Sequence, residues 1–77
     1  NNYSIALRAD NVPRQWGRIG SALGGRGISI RNIRMIELDE FTVEIILLLK
    51  LPGQMRLDEV FQVLNGVDGI KQIVDSS

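Results

Sequence analysis

The stretch Phe41–Leu51, FTVEIILLLKL, restricts the possible folds more than any other part of the chain. Taken with a period of two, Phe41, Val43, Ile45, Leu47, Leu49 and Leu51 fall on one face of an extended strand, and every one is apolar. The opposite face reads Thr42, Glu44, Ile46, Leu48 and Lys50, polar at its ends and apolar in its middle. A helix would scatter these residues around its circumference, and the β-branched and aromatic content favours a strand. So hydrophobic a strand would aggregate as an exposed edge. It is expected inside a sheet, with helices on its odd face. Ile46 and Leu48 on the even face then turn to water or to a partner.

The other segments supply that sheet. Tyr3 to Ala9 alternates, with Tyr3, Ile5, Leu7 and Ala9 on one face and Ser4, Ala6 and Arg8 on the other, as a first strand does. Asp10-Asn11-Val12-Pro13 reads as a turn into a helix, with Asn11 as cap and Pro13 in the first turn. Trp16, Ile19 and Leu23 then follow at helical spacing beside Ala22. Gly17, Gly20 and Gly24 form a neighbouring stripe, and each interior glycine costs a helix about 0.5–1 kcal/mol relative to alanine. Such a helix exists only if it is packed. The small stripe either lets another backbone approach, from the second helix or a partner, or is simply tolerated in a tight domain.

Gly24-Gly25-Arg26-Gly27 stops the helix, with Gly25 or Gly27 at positive φ. Ile28 to Leu38 is a second strand whose alternation slips near Arg31-Asn32, which predicts a bulge. Asp39-Glu40 turns into the long strand to make a hairpin, and Pro52-Gly53 ends it. Leu57, Val60, Phe61 and Leu64 mark an amphipathic helix closed by Asn65-Gly66, and Ile70 to Val74 is a last strand. Strand, helix, strand, strand, helix, strand with right-handed crossovers gives an α+β, ferredoxin-like domain. Four antiparallel strands carry both helices on one face. Ala6, Ile46 and Leu48 lie on the uncovered face and are the candidate interface, to be covered by a second copy or another domain.

Seventy-seven residues allow one small domain, and an apolar fraction of 44% suffices for a core that is marginal without oligomerisation. The chain starts in a strand-like segment without an initiator Met or signal peptide, so residues 1–77 read as a domain cut from a longer protein. The longest apolar run, Ile45 to Leu49, is far too short to insert in a membrane.

The absence of Cys and His excludes thiolate zinc sites, disulfides, thiol redox chemistry and every His-based catalytic dyad. No spacing forces two of the nine carboxylates into one dry pocket, and no serine has a histidine to activate it. The expectation is a non-enzyme without cofactor or metal. Glu37, Asp39 and Glu40 could offer oxygen ligands but read as a solvated turn. GGRG follows a helix instead of a strand, the reverse of a phosphate-binding context.

Charge is uneven although the total is zero. Residues 1–36 hold six arginines against Asp10, and residues 37–77 hold eight acids against Lys50, Arg56 and Lys71. The split reads as internal balance, head-to-tail self-association or an anion-binding surface. RNA-recognition modules share this strand order but stack bases on aromatics, and the outward face of FTVEIILLLK has none. Nucleic acid is therefore not an expected partner.

The passage NVPRQWGRIGSALGGRGISI resembles the entry of an ACT domain, a small regulatory module with this strand order. Pro13, Ile19, Ala22-Leu23, Gly27 and Ile28-Ser29-Ile30 fall in the family's register without a gap, as do Leu57 to Leu64 and Gly66-Val67-Asp68-Gly69-Ile70. Where the family has an Asp in the turn this chain has Asn11 beside Asp10, and where it has a ligand-approach Gly this chain has Arg14. The resemblance implies an amino-acid ligand near Asp10, Asn11, Arg14 and Gly17, with Arg14 able to pair with a ligand carboxylate. LLLKLPGQMRLDEVFQVLNGVDGIKQI is similar to the cytoplasmic C-terminal ACT-like domains of MgtC/SapB-family bacterial membrane proteins, linked to magnesium homeostasis. Regulatory domains of guanosine-tetraphosphate synthetases look similar too. The resemblance implies a cytoplasmic module, whether as the soluble part of an inner-membrane protein or not. One expectation is an interaction module that dimerises through strand edges or the open sheet face; another is a small-molecule sensor; an arginine-driven anion or nucleic-acid binder is a distant third.

Overall fold

A computed structural model describes residues 2–76. It contains β1 (Asn2–Asp10), α1 (Gln15–Gly24), β2 (Ser29–Glu37), β3 (Thr42–Lys50), α2 (Leu57–Asn65) and β4 (Ile70–Ser76). The strands form one antiparallel sheet in the order β2-β3-β1-β4, the ferredoxin-like arrangement expected. β3 lies in the interior of the sheet. It pairs with β1 from Asn2 opposite Lys50 to Asp10 opposite Thr42 without a register shift.

The odd residues of β3 are sealed: Val43 is 2% exposed and Leu47 and Leu49 are 0%. They join Ile5, Leu7 and Ala9 of β1, Ile19 and Leu23 of α1, and Val60 and Leu64 of α2 in a single apolar cluster. Both helices therefore cover the same face. Ile46 and Leu48, on the other, are only half-buried.

Phe41, expected at the head of the buried row, is instead 70% exposed. The Asp39 carboxylate accepts the backbone N–H groups of Phe41 and Thr42, each at 2.8 Å. That bracket holds Phe41 in the turn, and the strand alternation begins only at Thr42. β2 carries the expected bulge, as a register shift between Ile30 and Asn32. Past the bulge, Ile33 and Met35 sit opposite Leu47 and Ile45 on the helix side. The edge position leaves Met35 47% exposed all the same.

α1 begins at Gln15, with Arg14 as its N-cap and no side-chain cap. Asn11 does not cap the helix, because its side-chain amide donates to Glu37 Oε2 at 2.7 Å and to the Asp39 carbonyl at 3.3 Å. Pro13 consequently lies in the turn before the helix. At the other end Gly27 takes φ 75° while Gly25 stays right-handed, and the Ile28 N–H reaches the Leu23 carbonyl at 3.0 Å. α2 starts more conventionally, with Glu59 accepting the Arg56 N–H at 3.2 Å and Asp58 and Glu59 in the first turn.

Gln15 is the buried polar side chain of the core, 2% exposed. Its amide donates to the Asp68 carbonyl at 2.8 Å, and Arg18 Nη1 donates to that carbonyl and to Gln15 Oε1, each at 3.3 Å. This clip joins the start of α1 to the turn before β4. Gly69 completes it at φ 89°, where an added Cβ would run into Gln15 Oε1. The position thus needs glycine for conformation and for space.

Chemical denaturation separates the two faces of β3. Leu47→Ala removes a sealed side chain and is expected to cost about 2–5 kcal/mol, whereas Leu48→Ala next to it costs about 1 kcal/mol or less because the site is already half-wet. Gly69→Ala is expected to cost about 1–3 kcal/mol from the left-handed backbone and the collision. In a Gln15→Ala background the collision disappears, so the two changes cost less together than the sum of their separate costs.

Candidate functional site

The open sheet face divides into a polar end and an apolar end. Residues that pair across strands share a face, so the rows can be followed from the register. Asp10 sits opposite Thr42, and Arg8 opposite Glu44. Lys71 Nζ donates to Thr42 Oγ1 at 2.7 Å and lies 3.9 Å from Asp10 Oδ1, while Arg8 Nε is 3.8 Å from Glu44 Oε1. These pairs are partly solvated and contribute about 0–1 kcal/mol each. Their effect is to mark off one end of the face as charged and internally matched.

The next rows are apolar. Ala6 pairs with Ile46 and Ser4 with Leu48, and the three candidate interface residues Ala6, Ile46 and Leu48 form one contiguous patch. Arg34 and Asn32 of β2 flank Ile46 and Leu48. No element of the described chain lies over this patch, since both helices occupy the other face.

The four residues expected around an amino-acid ligand have different surroundings. Asp10 belongs to the charged rows of the open face through Lys71. Asn11 turns towards the β2–β3 hairpin, and its backbone N–H also donates to the Phe41 carbonyl at 3.0 Å. Arg14 and Gly17 are exposed on the outside of the turn and helix. Arg14 makes no ion pair among the described residues. Glu37 and Asp39 are engaged by Asn11 and by the turn's own backbone, so the acidic turn is an internally bonded structure.

A shallow groove of about 280 Å³ runs between α1 and the turn after α2, lined by Arg18, Ala22, Gly66, Val67 and Asp68. It lies on one flank of α1. The glycine stripe lies on the other, and an added Cβ at Gly17, Gly20 or Gly24 would meet nothing within 4 Å. Tight packing within the chain therefore does not explain the stripe. Sequence reasoning missed Gln15, although Gln15, Ile19 and Leu23 follow one another at the four-residue spacing of a buried helix row. Its polar side chain hid it, and Trp16, taken for that row, is 36% exposed.

Among the described residues no helix is long and apolar enough to cross a membrane. Neither protein-family models nor curated protein sequences yield a match to this chain. Solved structures do. The chain is similar to the ACT domain from the GTP pyrophosphokinase of Chlorobium tepidum, with a TM-score of 0.65, 13% identity, and 95% of this chain and 94% of that one covered. It is likewise similar to the C-terminal domain of the MgtC protein from Mycobacterium tuberculosis, with a TM-score of 0.67, 12% identity, and 99% of this chain and 84% of that one covered. At these identities the likeness establishes the fold, which is that of the ACT domain the motif order pointed to.

Proposed function

We propose that this chain is a non-catalytic regulatory module of a larger bacterial protein, acting through protein contact, with a magnesium-homeostasis membrane protein of the MgtC/SapB type as the favoured parent. The observation that carries the reading is the uncovered patch of Ala6, Ile46 and Leu48 on a sheet whose other face is sealed by two helices. Apolar side chains held on a rigid, register-locked sheet form a surface for a partner; they offer no general acid, base or nucleophile. The likeness to an ACT domain and to the MgtC C-terminal domain supports the same reading. The charged rows of Arg8, Glu44, Asp10 and Lys71 bound the patch on one side and limit how a partner can be placed on it.

A thermal-shift panel of amino acids and Mg²⁺ tests this against the sensor reading. A contact module keeps its melting temperature. A sensor at Asp10 to Gly17 would rise by about 10 °C or more at a hundredfold excess of ligand over its dissociation constant. Ile46→Asp and Leu48→Asp provide the second arm. Both variants are expected to stay folded, with melting temperatures within a few degrees of wild type, and to lose co-elution with the adjoining domain of the parent protein. Retained co-elution would move the contact off the sheet face.

A further inference from the structure

We propose that the open sheet face takes an acidic amphipathic helix from a different protein segment, its apolar stripe on Ala6, Ile46 and Leu48 and its carboxylates over the cations of one margin. The proposal rests on the reading that the module works by contact. It deepens that reading by stating the chemistry of the partner.

The margins of the patch differ in charge. Towards one end of the strands, Arg8 is matched by Glu44 and Lys71 by Asp10. On β2 and at the other end of β3 the cations are unmatched. Arg34 sits opposite Ile46, Lys50 ends β3 opposite Asn2 and Ser29, and Arg31 is the extra residue of the bulge between Ile30 and Asn32. None of the three forms an ion pair among the described residues. Asp10 and Glu44 are the acids that β1, β2 and β3 place on this face, and both are already paired. The patch therefore has an apolar centre, a neutralised margin and a cationic margin. A partner that brings carboxylates down beside apolar side chains fits that pattern.

Spacing favours a helix as the carrier. β3 pairs with β1 and β2, and β1 with β3 and β4, so the face offers side chains and no free backbone to an added strand. Arg34 stands one strand spacing from Ile46 and Lys50 two residues from Leu48, about 5 and 7 Å. A helix about 10 Å wide, with apolar residues beneath and glutamates on its flank, spans those intervals. Ile46 and Leu48 are half-buried, and β1, β2 and β3 place no aromatic residue on this face. The surface thus lacks the protruding anchors of a lipid-binding face and the stacking platforms of a nucleic-acid one. A second copy would bring the same unmatched cations and, on these three strands, no free carboxylate to meet them.

Two synthetic peptides of about five helical turns test the proposal on the 77-residue chain. Both carry a leucine stripe, flanked by glutamates in one and by lysines in the other. In amide NMR spectra of the isotope-labelled chain, the glutamate peptide is expected to shift the signals of Ala6, Arg34, Ile46 and Leu48. The lysine peptide is expected to bind about tenfold more weakly or worse. Raising NaCl from about 50 to about 500 mM is expected to weaken the glutamate complex several-fold. Arg34→Glu with Lys50→Glu is expected to reverse the preference, with circular dichroism unchanged. No response to the glutamate peptide, or a preference that survives the charge reversal, would overturn the proposal. So would tighter binding to phosphatidylglycerol-containing vesicles or to poly(U) RNA than to the glutamate peptide, or a homodimer that Ile46→Asp dissociates. Equal binding of both peptides, lost in Ile46→Asp, would overturn the acidic partner and leave contact through the face intact, so the two readings can fail separately.

Discussion

The structure depends on the nine-residue, shift-free pairing of β1 with β3. Side chains alternate along both strands, so a slip of one residue would carry Ile45, Leu47 and Leu49 out of the core and put Glu44 into it. Burial of one face thus fixes the register as firmly as the hydrogen bonds do. All else is placed relative to that ribbon. Ile19 and Leu23 of α1 and Val60 and Leu64 of α2 find their positions because the odd face of β3 and β1 presents an unbroken apolar floor.

The helices lean on the sheet more than the sheet leans on their intrinsic stability. α1 has ten residues, three of them glycine, no side-chain cap, and no acid in its first turn or base in its last. In isolation such a segment would not persist. What holds it is the burial of Ile19 and Leu23 and the polar clip at its start, where Gln15 and Arg18 converge on the Asp68 carbonyl. The clip also satisfies the one polar side chain enclosed in the core among the described residues. A buried amide without a partner would be costly, so its placement against the turn before β4 is tightly specified. Gly69 is the complement of that requirement.

How much of this could be read from the sequence follows the reach of each signal. The strands, the bulge near Arg31, the stop at Gly27 and the second helix come from local alternation, helical spacing or turn chemistry, and the structure has them where those signals lie. The misplacements come from interactions between residues distant along the chain or from a bracketed turn. Asn11 has the chemistry of a cap, but Glu37 is twenty-six residues on and the sequence does not say that the two meet. Phe41 fits the alternation, yet the Asp39 carboxylate holds it out of the strand. Gln15 is polar and therefore looked exposed, whereas its partner is fifty-three residues away. The candidate site was legible as a face, because Ala6, Ile46 and Leu48 share parity with solvent-facing neighbours. Which strand stands outermost is a property of the assembled strand order, in which β2 and β4 are the two ends.

That distinction bears on how such a domain can act. A sheet face recognises a partner through area and shape, and the patch here is small, bounded by matched ion pairs that add little attraction. A strand edge recognises through directional hydrogen bonds, which are indifferent to sequence, so specificity must come from the flanking side chains. β2 carries Arg31 and Arg34 along its length and Glu37 at its end. The formal neutrality of the whole chain thus hides an ordered distribution. Among the described residues the arginine-rich first half and acid-rich second half meet in one arginine–carboxylate pair, Arg8 with Glu44. Within the chain the charge that is matched across the halves sits on the open sheet face, at Arg8–Glu44 and Lys71–Asp10.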